Sequence, residues 1–118
     1  MTMPAAGASD AALQRIIAPY LEIEGIEAAG LFTADGLLVA WGGDRRLDPE
    51  AIAAHAASAL SSLRALAGEL DSTFPRTINL GLPGRDLILA PLTGDLSLAL
   101  VGRQDAVLWL LQGDIASA

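Results

Sequence analysis

The spacing of apolar positions changes several times along the chain, and each change marks an element. Leu13, Ile16, Ile17, Tyr20 and Leu21 fall at i, i+3, i+4, i+7 and i+8, one stripe on a helix. This spacing predicts a first helix over about Asp10 to Glu22, capped by Ser9 or Asp10, with Gly25 past its end. Residues 1–9 read as a flexible N-terminal tail, and residues 10–118 as a single domain. The stretch "AAGLFTADGLLVAWGG", residues 28–43, then sets two apolar runs around Asp35-Gly36. An Asp-Gly pair between such runs predicts a hairpin with a type I′ turn, since both residues tolerate positive φ. Its strands, Ala28 to Thr33 and Leu37 to Trp41, do not alternate, so both faces of the sheet are expected to be covered.

The second helix begins at "LDPEAI". Asp48 is placed as N-cap, Pro49 as the first helical residue, and Glu50 near the positive end of the dipole. Leu47 and Ile52 are spaced for a hydrophobic staple. The helix should reach about Leu70. Ile52, Ala56, Ala59, Leu60, Leu63, Leu66, Ala67 and Leu70 form a broad apolar face expected to pack on the sheet. Beside it runs a ridge of small residues at spacing four: Ala53, Ala57, Ser61 and Ala65. Small residues on such a ridge let a second helix approach closely, commonly at a crossing of about −50°. Alanine is also simply a good helix former, so the ridge has a purely local explanation too.

Three further strands follow "DSTFP". In "RTINLGL", Ile78, Leu80 and Leu82 face one way and Thr77, Asn79 and Gly81 the other, the pattern of an edge strand. "LILAPL" is apolar on both faces and "LSLALVG" returns beside it, with turns at "PGRD" and "TGD". Asp105 is placed to cap a short last helix, "AVLWLLQ", ending at Gly113. The connections are too short for parallel crossovers except around the second helix. The fold class is therefore α+β, in the order αββαβββα, with a five-stranded antiparallel sheet and helices on both faces.

Composition sharpens this picture. The chain has 118 residues, enough for one domain and a core without covalent staples. It has no cysteine and one histidine, which excludes disulfides, thiolate metal sites and multi-histidine sites within one chain. The formal charge of −7 disfavours nucleic acid and anionic membrane surfaces. No apolar run reaches the ~18 residues of a membrane-spanning helix, and the start does not read as a signal peptide. A cytoplasmic location is expected. Hydrophobic residues make up 53% of the chain and charged residues only 18%, against about 25% charged in a typical soluble domain. A lone copy would present apolar patches to water, so self-association is expected.

Catalytic chemistry is hard to place. Asp10, Asp48 and Asp105 are assigned to helix starts, and Asp35, Asp86 and Asp95 to hairpin turns. Glu22, Glu24, Glu27, Glu50 and Glu69 fall near helix ends. No carboxylate pair is left at a spacing suited to acid/base work. His55 lies on the second helix without an adjacent nucleophile or orienting partner. Arg45 and Arg46 could form an arginine finger or simply a solvated loop. "GLPGRD" joins strand to strand and lacks the ending of a phosphate-binding loop. Trp41 and Trp109 read as core residues, with an interface anchor as the alternative. No enzyme, cofactor or metal is expected.

These elements, in this order, resemble the roadblock/dynein light chain family, which includes bacterial MglB-like regulators. The residues that carry the resemblance are "IEGIEAAGLFTADGLLVAWGG", the alanine-rich "AIAAHAASALSSLRALAGEL" and the block ending "LSLALVG", spanning about Leu13 to Gly102. The resemblance implies a non-enzymatic, profilin-like domain that dimerises through its third strand and second helix. Here these would be Arg76, Ile78 and Leu80 on the strand, with Ala53, Ala57, Ser61 and Ala65 on the helix. It also implies a partner, often a Ras-like small GTPase, bound by a regulatory homodimer that acts as a scaffold in signalling. His55, Ser58, Ser62 and Arg64 are the candidate docking positions. Relatives often continue beyond the point where this chain ends. The alternative is a small-molecule-sensing module of a signalling system, with a pocket between sheet and helix lined by Phe32, Trp41 and Leu89.

Overall fold

The computed structural model describes residues 5–44, 46–73, 76–93 and 95–103. The expected last helix after Asp105, Trp109 within it, and Arg45 lie outside the described residues. Helix α1 (Ala5–Leu21) leads into strands β1 (Ile26–Thr33) and β2 (Leu38–Gly43). Helix α2 (Pro49–Glu69) follows, then β3 (Ile78–Leu82), β4 (Arg85–Thr93) and β5 (Leu96–Arg103). All strand pairs are antiparallel, in the order β2-β1-β5-β4-β3. The described fold is α+β, with two helices and one five-stranded sheet.

Helix α1 starts earlier than the apolar stripe suggests. Ser9 and Asp10 lie inside the helix rather than capping it, and residues 5–9 are helical. The alanines at 5, 6, 8, 11 and 12 sustain the helix upstream of its packed stripe, because alanine loses no side-chain entropy there. Pro19 sits in the last turn. The helix ends by tightening, with Glu22 N donating to Pro19 O (3.3 Å) and Ile23 N to Tyr20 O (3.1 Å).

The β1–β2 turn also differs from expectation. Gly36 has a φ of +87°, but among the described residues Asp71 is the only non-glycine at positive φ. A type I′ turn, which needs positive φ at both central residues, is therefore ruled out. Instead Gly36 N donates to Thr33 O (2.9 Å) and Thr33 N donates to Leu37 O (2.9 Å), closing a three-residue loop. The Thr33 hydroxyl accepts from Leu37 N at 3.2 Å. Tertiary packing explains this choice. A β-carbon at Gly36 would stand 3.2 Å from Ala54 Cα, so the loop lies directly on α2.

The sheet buries both faces, as its non-alternating strands require. On the α1 side the core holds Ile17, Ala29, Leu31, Ala40, Ile88, Ala90, Leu98 and Leu100. On the α2 side it holds Phe32, Leu89 and Ala99 with Ala53, Ala56, Ala57 and Leu60 of the helix. Asp48 caps α2, its side chain accepting from Ala51 N at 3.2 Å, with Pro49 in the first turn as expected. Strand β3 begins at Ile78, two residues later than the pattern suggests.

Candidate interaction surface

Helix α2 is turned about its axis relative to the sequence expectation. The fully packed residues are Ala53, Ala56, Ala57 and Leu60. Ala56 and Leu60 belong to the expected face; at about 100° per residue the packed arc is turned roughly 70° from the centre of that face, towards Ala53 and Ala57. The small side chains of Ala53 and Ala57 let the helix lie close on the hairpin loop, where leucines would hold it off. Ala53 is 2% exposed and Ala57 7% exposed, so their methyl groups are used within the chain's own core. Within one copy they face Phe32, Leu89 and the hairpin loop. Ser61 and Ala65, farther along the same ridge, are exposed.

The consequence is a helix with two different halves. Its first half is seated on the sheet. Its second half leaves Leu66 53% and Leu70 69% exposed, beside a shallow groove formed with Leu63, Ala67, Ser72 and Thr73. Strand β3 shows the same imbalance. It is an edge strand, and Arg76 just before it is exposed, Ile78 is half-buried, and Leu80 (46%) and Leu82 (42%) are open to water. Ile78 pairs with Leu89 and Leu80 with Leu87, so the three β3 side chains lie on the α2 side of the sheet. An exposed edge with apolar side chains is a template for pairing with another chain. The apolar period of "RTINLGL" signals this strand correctly. Leu66 and Leu70, expected to pack on the sheet, do not, because periodicity marks an apolar face without saying what covers it.

The four candidate docking residues, His55, Ser58, Ser62 and Arg64, are all exposed. The structure does not hold them together. His55, Ser58 and Ser62 share the outer face of α2, at i, i+3 and i+7. Arg64 lies roughly half a turn around the helix from His55. It lines a cleft of about 250 Å³ with Phe32, Leu60, Ser61, Leu92 and Ser97. The pocket expected from Phe32, Trp41 and Leu89 is not formed by that trio. Leu89 is 4% exposed in the α2-side core, and neither it nor Trp41 reaches the cleft. The cleft is also smaller than the roughly 300–1,000 Å³ of ordinary ligand sites.

The polar groups form local pairs rather than a reactive constellation. Arg46 grips Asp44 with two side-chain bonds, Nε to Oδ1 at 3.1 Å and Nη2 to Oδ2 at 3.0 Å, and its backbone N–H donates to Oδ1 at 2.9 Å. These hydrogen bonds hold the Asp44 carboxyl below its usual range and raise Arg46 above its own. Arg46 itself stays 88% exposed, with its guanidinium paired to the Asp44 carboxylate. Glu27, expected near a helix end, is instead on β1, where its Oε1 accepts from Arg85 Nε of β4 at 3.0 Å. No local pattern links residues so far apart in the chain. Among the described residues no cluster of potential metal ligands occurs, and no helix is long and apolar enough to cross a membrane.

Comparison with known proteins agrees with this architecture. Comparison with curated proteins returns no match. Among solved structures, MglB of Myxococcus xanthus superimposes with a TM-score of 0.78 at 13% identity, over 99% of this chain and 88% of that one. A Roadblock/LC7 domain from Streptomyces avermitilis gives 0.74 at 21% identity, over 92% of this chain and 88% of that one. The gliding protein MglB of Thermus thermophilus gives 0.71 at 18% identity, over 99% and 88%. At these identities the likeness is one of fold. The sequence itself matches the model of the Roadblock/LC7 domain over residues 13–101, which is most of its length, and the chain therefore belongs to the Roadblock/LC7 domain family.

Proposed function

We propose that this protein is a cytoplasmic, non-enzymatic homodimeric scaffold that binds a Ras-like small GTPase and modulates its nucleotide cycle. The observation that carries the reading is the uncovered apolar surface on the α2 side of the sheet: Leu66 and Leu70 on the helix, Leu80 and Leu82 on the edge strand. Pairing β3 with its counterpart in a second copy would satisfy the open backbone edge and join two sheets into one. The helix contribution then comes from the leucine-bearing end of α2, with Leu66 and Leu70. Covering each leucine would contribute on the order of 1 kcal/mol. A solved relative is described as MglB with a tetrameric arrangement, which supports association among copies of this fold.

The GTPase part of the reading rests on family membership and on the architecture. A dimer would present two α2 helices on one platform, with His55, Ser58 and Ser62 on the outer face of each. Such a platform acts by favouring one conformation of the partner's switch segments, with no donated catalytic group. The test mixes the purified protein with Ras-like GTPases of the same cell, loaded with GDP or a GTP analogue. Binding that depends on the nucleotide is expected, and its absence from every pair in both states would refute the GTPase role.

A further inference from the structure

We draw no further inference here: the strongest candidate, the cleft between α2 and the β4–β5 hairpin with the nine-tenths-buried Ser97 in its lining, carries nothing because nothing in the structure shows what covers it.

Discussion

The ring of Trp41 lies against the backbone of Gly30 on the neighbouring strand: a β-carbon built at Gly30 would stand 2.7 Å from Trp41 Cε3 and 3.2 Å from Cζ3. The glycine is required here by the space it leaves, since its φ is not in the left-handed region. An indole ring is rigid and cannot yield as a flexible chain end would. Gly30→Ala should therefore destabilise the fold by about 1–3 kcal/mol through overpacking. Urea unfolding followed by far-UV circular dichroism measures this. Combining Gly30→Ala with Trp41→Leu should recover part of the loss, and purely additive costs would show that the two residues do not press on each other.

A second prediction concerns the start of α2. The Asp48 carboxylate accepts from Ala51 N, satisfying one of the free N–H groups at the helix start. Asp48→Ala should cost about 0.5–2 kcal/mol, while Asp48→Asn, which still accepts, should cost much less. Thermal melts of the two variants distinguish a capping role from a general effect of charge, for which both would lose alike.

Ala57 is 7% exposed, in the core on the α2 side of the sheet. Ala57→Glu would force a carboxylate into the core formed with Phe32 and Leu89, and should prevent cooperative folding. Leu80→Lys on the open edge should leave the subunit folded and abolish the dimer, because lysine blunts edge pairing. Ser62→Glu on the outer face should do neither. Sedimentation velocity with circular dichroism reads both properties. A folded, monomeric Ala57→Glu would place the alanine ridge in the contact, and a dimeric Leu80→Lys would remove β3 from it.

The Asp44–Arg46 pair has a definite pH signature. The Asp44 carboxyl is lowered first by the Arg46 side-chain hydrogen bonds, then by the Arg46 backbone N–H. A carboxyl lowered in the folded state binds fewer protons than its unfolded counterpart. Its contribution to stability is therefore fully present above the ordinary aspartate pKa and disappears as pH falls through the lowered folded value. Arg46→Ala should return the Asp44 titration towards the usual range, observed by carbon NMR of the carboxyl group. An unchanged titration would mean that the Arg46 side chain is not what holds the proton off.

The local elements were legible in the amino acids alone wherever their cause is local. The Asp48-Pro49 start fixes a helix because capping and proline geometry act within one turn. The apolar runs around Asp35-Gly36 mark two strands, of which β1 is buried and β2 is an edge with Ala40 buried, and the alternation of Ile78, Leu80 and Leu82 marks the other edge, because side-chain direction repeats every second residue. The composition, rich in apolar and poor in charged residues, implied that apolar side chains would stay open to water, and Leu66, Leu70, Leu80 and Leu82 are exposed.

What only the tertiary structure decided were matters of contact between distant parts. The rotation of α2 was set by the fit of Ala53 and Ala57 against the hairpin, which periodicity cannot express, since an apolar stripe names a face and not its neighbour. The three-residue loop at Gly36 was chosen over a tighter turn by the helix beneath it, and the Glu27–Arg85 pair exists because β5 brings β1 and β4 to either side of itself. Each depends on which surfaces meet after the chain folds, and no short stretch of sequence carries that information.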